Sequence, residues 1–212
     1  MGHETQGRER RLILGSASPR RRALLAQIGV VADAVIAADI DETPRKAELP
    51  RRYAERLATE KAEAIQASLG TSQPNPSGRD FILTADTVVS VGRRILGKPA
   101  DASEAASFLL LLSGRRHRVA TAVALTGPGF TRLRLVETRV RMKRLSDEEL
   151  SSYLRSGEWQ GKAGGYAIQG IGAALIPEIS GSYTNVVGLP LVETANLLRG
   201  VGYPVPLDGA PA

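Results

Sequence analysis

The chain has 212 residues, 42% hydrophobic and 24% charged, which supplies a buried core and excludes wholesale disorder. It has no cysteine and two histidines, His3 and His117, so disulfides, thiolate nucleophiles and Cys- or His-rich metal sites are excluded. The formal charge of +6 admits a polyanionic ligand, while 4% aromatic residues argue against a stacking platform for nucleic acid.

Residues 1–10 and 204–212 read as flexible tails around a single domain of residues 11–203. Met1–Arg11 has no apolar stretch and Phe108–Leu112 is too short to span a membrane, so a cytoplasmic protein without a membrane partner is expected. Arg11–Leu14 reads as a short buried strand closed by Gly15. Ser18 is placed to cap a helix that begins at Pro19 and stops at Gly29. Ala34–Ala37 reads as a second strand, followed by an acidic turn, Asp39–Pro44. A long helix opens at Leu49 or Pro50 and runs to Leu69, with a loop at Gly70–Gly78. Phe81–Val91 turns at Gly92-Arg93 and returns through Ile95-Leu96. Asp101 and Glu104 make a capping box for a helix to Leu112. Val119–Leu125 and Leu133–Met142 pair across Gly127–Gly129. Ser146 and Glu149 cap a helix to Arg155, Ala173–Ile179 reads as a strand, and Leu191–Arg199 as the last helix. Hairpins beside crossover helices indicate a mixed α/β fold rather than a parallel doubly wound sheet.

The chemistry begins at Gly15–Leu25, G-S-A-S-P-R-R-R-A-L-L, which sets serines and three arginines at a helix start. Positive charge is unfavourable there unless an anion is bound; a solvated basic turn is the alternative. Lys61 falls within the apolar stripe Tyr53, Leu57, Ile65 and Leu69, so it either snorkels past Ala58 and Ala62 or points into a cleft. Asp86 interrupts an apolar strand with T-A-D-T, where burial destabilises a carboxylate unless it meets a cation or metal; capping a bulge is the alternative. Lys98, in G-K-P, falls close to Asp86 if the hairpin is regular, and Asp41 and Glu42 add carboxylates. In G-K-A-G-G-Y-A-I-Q-G, Lys162 can meet phosphate and the Gln169 amide can read a base edge, unless the glycines merely bend the chain. Any metal would be a hard cation held by oxygen, magnesium or manganese.

Together these segments resemble the Maf-type nucleoside triphosphate pyrophosphatases. The matches are S-A-S-P-R-R (Ser16–Arg21), D-E-T-P (Asp41–Pro44), Leu57-Ala58 with Glu60–Ala62, and T-A-D-T-V-V (Thr84–Val89). They continue with G-K-P (Gly97–Pro99), L-S-G (Leu112–Gly114), K-A-G-G-Y-A-I-Q-G (Lys162–Gly170) and N-V-V-G-L-P (Asn185–Pro190), so the likeness runs in order from Leu12 to Arg199. It implies the Maf/Ham1 (ITPase-like) α/β fold: a long curved mixed β-sheet flanked by helices, with two lobes and a central cleft. It implies cleavage of a nucleoside triphosphate between the α and β phosphates, giving the monophosphate and pyrophosphate, with Mg²⁺ or Mn²⁺. Asp86 matches the proton acceptor; Arg20, Thr87 and Gln169 match positions tied to substrate choice. Ser16, Arg21, Lys61 and Lys98 match further substrate-binding positions, and Glu42, with Asp86, an acidic position near the metal. The K-A-G-x-Y-x-I-Q-G form resembles the branch acting on dTTP and UTP, whereas the 7-methyl-GTP branch carries a different segment. Gly161 departs from the pattern, since some pyrimidine-branch members have an acidic residue there. Members are often homodimers. No residue reads as a covalent nucleophile, so water is the expected attacking group. Two other classes stay open: a nucleotide- or nucleic-acid-binding module without turnover, suggested by the positive charge, and a septum-associated regulatory protein, a role linked to the family whose partner surface no residue marks.

Overall fold

In the computed structural model, which describes residues 10–72 and 80–207, the sheet starts parallel and finishes antiparallel. β1 (Arg11–Gly15) lies between β2 (Ala34–Val35) and β3 (Asp80–Val91) and is parallel to both. β4 (Arg94–Leu96) folds back on the end of β3. On the other edge of β3, β5 (Arg116–Gly127), β6 (Phe130–Arg141) and β7 (Glu178–Ser180) continue antiparallel. Among the described residues the seven strands run in the order β2-β1-β3-β5-β6-β7, with β4 beside β3. β3 reads F-I-L-T-A-D-T-V-V-S and is buried along nearly its whole length, as a central strand covered on both faces must be.

Helices cover the two faces unequally. α2 (Pro50–Ser72) lies along one face, where Ala54 and Ala58 pack against Val88, Ala122 and Ala124, and Ala62 against Ile13 and Ile82. The opposite face carries two cores, bridged by Ile176, Ile179 and Val186, which pack against both. At one end α1 (Pro19–Gln27), α5 (Tyr183–Val187) and α6 (Leu191–Arg199) pack Leu24, Val187 and Leu198 over Leu12, Leu83 and Val123. At the other end α3 (Ala102–Leu112) and α4 (Asp147–Ser156) pack Phe108, Leu109 and Tyr153 over Val89, Leu96 and Val119. These cores are the two lobes.

Strand register decides where the cleft opens. β1 stops pairing at Gly15–Thr84, and β4 starts pairing only at Val89–Leu96. Among the described residues, Ala85, Asp86, Thr87 and Val88 therefore have no strand beside them on that edge. Gly15 is required at the lip, because a Cβ there would sit 2.5 Å from Ile65 Cδ1 and 2.6 Å from Thr84 Cγ2. Gly15→Ala is accordingly expected to destabilise by about 1–3 kcal/mol through overpacking, lowering the melting midpoint by roughly 2–12 °C. An unchanged thermal midpoint would mean that Ile65 rotates away freely.

Several local readings change. Ser18 does not cap α1 with its side chain; its N–H instead donates to Ser16 Oγ (3.2 Å). The second strand is only Ala34–Val35. Ala173–Ile179 is not a strand: Gly170–Leu175 forms a 3-10 helix, with Ile171 and Gly172 N–H groups donating to the Glu158 carboxylate, and the strand is Glu178–Ser180. α5 has no counterpart in the sequence reading, since its five residues are too few to show a period. The predicted loop Gly70–Gly78 lies outside the described residues from 73 onward, and its first three residues extend α2. Past Tyr203 no regular element follows among the described residues, yet Val205 is buried in the first lobe.

Candidate active site

A cleft of about 380 Å³ opens at the gap between β1 and β4. Neighbouring strand residues point to opposite faces, so Asp86 turns toward α2 and Thr87 toward α1. The missing strand lets both line one cavity. Ser16, Arg20, Arg21, Glu42, Lys61, Asp86, Thr87, Lys98 and Gln169 all line it, and Lys162 joins them.

On the α2 side, Lys61 does not snorkel. It is 9% exposed and sets Nζ 2.6 Å from Asp86 Oδ1 and 2.7 Å from Glu42 Oε1. Buried ammonium and buried carboxylate each satisfy the other, which neither could do alone. The segment carrying Glu42 is fixed by the Tyr53 hydroxyl, which donates to the Glu42 carbonyl (2.6 Å). Lys98 Nζ stands 3.4 Å from Glu42 Oε2, so its carboxylate neighbour is Glu42 rather than the Asp86 expected from the hairpin. Burial pushes the Asp86 carboxyl up from its ordinary value, opposed by Lys61 and Arg21. Burial also pushes Glu42 up, but Lys61 and then Lys98 outweigh it and hold that carboxyl low.

On the α1 side, Arg21 is held by three oxygens. Its Nε donates to the Gly188 carbonyl (2.8 Å), one terminal nitrogen to Ser16 Oγ (3.1 Å) and the other to Thr87 Oγ1 (3.1 Å). Ser16 Oγ also accepts from the Ser18 N–H, so both its lone pairs are engaged. Its hydroxyl hydrogen is left to donate, which suits an anion. Burial lowers the pKa of Arg21, Arg20 and Lys162 alike. Among the described residues none of the three has a carboxylate partner within ion-pair distance, so their charge is left for a ligand. The Gln169 amide is exposed on the cleft lining.

His117 does not line the cleft. Its Nε2 lies 2.6 Å from the Tyr166 hydroxyl, its Nδ1 has no partner among the described residues, and burial pulls its pKa down to about 4. Asp41 is exposed and accepts from the Thr43 N–H, outside the cleft. Two contributors were not singled out as site residues by the sequence, although Gly188 lies within N-V-V-G-L-P. Thr121, one small residue in V-A-T-A-V-A-L, lies opposite Thr87 in the β3–β5 register, and the Gly188 carbonyl is a backbone atom of the turn after α5.

Asp86 and Glu42 supply the hard oxygen ligands that a divalent cation prefers. Among the described residues no group of three His, Cys, Asp or Glu side chains gathers to hold a metal. Magnesium commonly takes one or two carboxylates and completes its shell with water and phosphate oxygens, so this donor pair fits it. No helix among the described residues is long and apolar enough to cross a membrane.

The family model described as "Maf-like protein" matches residues 11–201. A dTTP/UTP pyrophosphatase from Cereibacter sphaeroides is 60% identical over 194 residues, covering 92% of this chain and 96% of its own. Proteins of the same name from Ruegeria sp. and Rhodopseudomonas palustris are 59% and 57% identical, covering 93% and 92% of this chain and 98% and 94% of theirs. Among solved structures, a HAM1 protein from Coxiella burnetii superposes with a TM-score of 0.49 and 14% identity, covering 90% of this chain and 99% of its own.

Proposed function

We propose, from the premise that this chain belongs to the Maf-like protein family, that it hydrolyses dTTP and UTP to the nucleoside monophosphate and pyrophosphate. The observation that carries the reading is one cleft holding three cations without carboxylate partners among the described residues, beside a buried, lysine-paired Asp86. A triphosphate tail carries about four negative charges at neutral pH, close to its second-phosphate ionisation. Arg20, Arg21 and Lys162 neutralise most of that tail, and Ser16 donates its free hydroxyl hydrogen to a phosphate oxygen.

Asp86 accepts the proton of the water that attacks the α phosphorus, and Lys61 holds that carboxylate in place. The cations also stabilise charge building on departing pyrophosphate. Asp86 and Glu42 would hold a divalent cation, which when bound neutralises phosphate charge and polarises the phosphoryl group. Gln169 offers its amide to the base edge. Acting on free nucleotides, the protein works in the cytoplasm, without nucleic acid or membrane as partner, and as a homodimer.

The test is pyrophosphate release from dTTP, UTP, CTP, GTP and 7-methyl-GTP with Mg²⁺ or Mn²⁺. Expected are fastest turnover of dTTP and UTP and none in excess EDTA. Nucleotide binding without pyrophosphate would make the chain a binding module, and a leading rate on 7-methyl-GTP would move it to the other branch.

A further inference from the structure

We infer that Thr121 is a positioning residue that locks Thr87 as a hydrogen-bond acceptor for the N3–H of a uracil or thymine ring. The inference rests on the proposed function and adds how the base is chosen.

A hydroxyl has one hydrogen to give. Thr121 Oγ1 lies 2.9 Å from the Asn185 carbonyl oxygen, which can only accept, so Thr121 directs its hydrogen there. The 3.0 Å contact between Thr87 Oγ1 and Thr121 Oγ1 then takes its hydrogen from Thr87. Arg21, which can only donate, occupies one lone pair of Thr87. What remains on Thr87, beside the cleft, is one lone pair and no hydrogen. Thr121 and Asn185 are both 0% exposed, so water does not compete for these bonds. The Asn185 carbonyl is itself fixed, because the Asn185 N–H donates to Ser182 Oγ (3.1 Å) and its side-chain amide donates to the Val119 carbonyl (3.0 Å) and Thr138 Oγ1 (2.9 Å). Gly188 keeps the approach clear: a Cβ there would sit 3.4 Å from Thr87 Oγ1.

One guanidinium therefore sorts two hydroxyls. Ser16 is left to donate and suits phosphate; Thr87 is left to accept and would repel phosphate oxygens. Thr87 needs a donor. Thymine and uracil share an imide N3–H, whereas cytosine presents a lone pair at N3. The exposed Gln169 amide can turn over and suit either ring, so it cannot discriminate alone. A fixed acceptor breaks that symmetry.

The test compares kcat/KM for UTP and CTP in wild type, Thr121→Val and Thr121→Ser. Valine fills the same space but frees the Thr87 hydrogen to turn toward the cleft. The UTP-over-CTP ratio is expected to fall at least about tenfold in Thr121→Val and to recover in Thr121→Ser. UTP methylated at N3 should behave in wild type as CTP does. If both substrates slow alike and the ratio holds, Thr121 only packs the core and the inference fails. Should Thr121→Val not fold, Thr87→Val serves: UTP must lose more than CTP, and equal losses refute the acceptor role. A wild type that releases no pyrophosphate from UTP removes the activity reading and this inference with it; an active wild type with an unmoved ratio removes this inference alone.

Discussion

Asp86→Asn is expected to lower kcat for pyrophosphate release by about 10³-fold or more while the protein stays folded. Asparagine keeps the shape and a hydrogen-bonding oxygen but cannot take a proton from water. Lys61 is not orphaned, because Glu42 Oε1 remains 2.7 Å from its Nζ. Melting in metal-free buffer supplies an independent check with a defined sign. Burial raises the folded Asp86 carboxyl above its ordinary value, so wild type has this group's favourable contribution below about pH 4 and loses it as pH rises through the folded value. The asparagine variant has no such ionisation. Its melting midpoint relative to wild type should therefore climb across that interval. Turnover near the wild-type rate would remove Asp86 as the base, and a midpoint difference flat with pH would contradict its raised carboxyl.

The motifs that announced this site are those whose chemistry is stated by residue type. Arginines at a helix start, a lysine in an apolar stripe and an aspartate in an apolar strand are each locally wrong, and Arg21, Lys61 and Asp86 do converge. Local conflict of this kind marks functional positions, because only a shared partner relieves it. The long hairpin β5–β6 and both capping serine or aspartate positions were also legible, since Asp101 and Ser146 accept from the predicted N–H groups. What could not be read depends on pairing. The gap that exposes Ala85–Val88 arises from where β1 stops and β4 starts, and no periodicity carries that register. Thr121 is a single hydroxyl in an apolar run until β3 is laid beside it. The Ala173–Ile179 reading failed because Glu158, thirteen residues upstream of Ile171, closes a 3-10 turn that composition does not show.

Lys61→Met is expected to cost more than Asp86→Asn in stability and less in rate. Methionine fills the channel that Ala58 and Ala62 leave beside α2 but offers no charge. Asp86 Oδ1 and Glu42 Oε1, now joined through one ammonium, would confront each other with nothing between them. Breaking a buried pair in this way destabilises by about 3 kcal/mol, or roughly 6–12 °C in melting midpoint for a chain of this size. The deficit carries a pH signature. Without Lys61 both carboxyls rise in the folded state, so the native protein binds protons more readily than the unfolded chain. Stability is then kept at acid pH and lost as pH rises through the elevated values, and the gap to wild type should widen from about pH 4 toward neutrality. kcat should fall by about 10²-fold, since the carboxylate that receives the proton is no longer held and a positive charge is missing beside the phosphates. Adding Glu42→Gln separates the two effects. Removing the facing charge should return much of the midpoint but none of the rate, because only a cation at position 61 can hold Asp86. Recovery of rate in that double variant would mean that Lys61 serves only to neutralise Glu42.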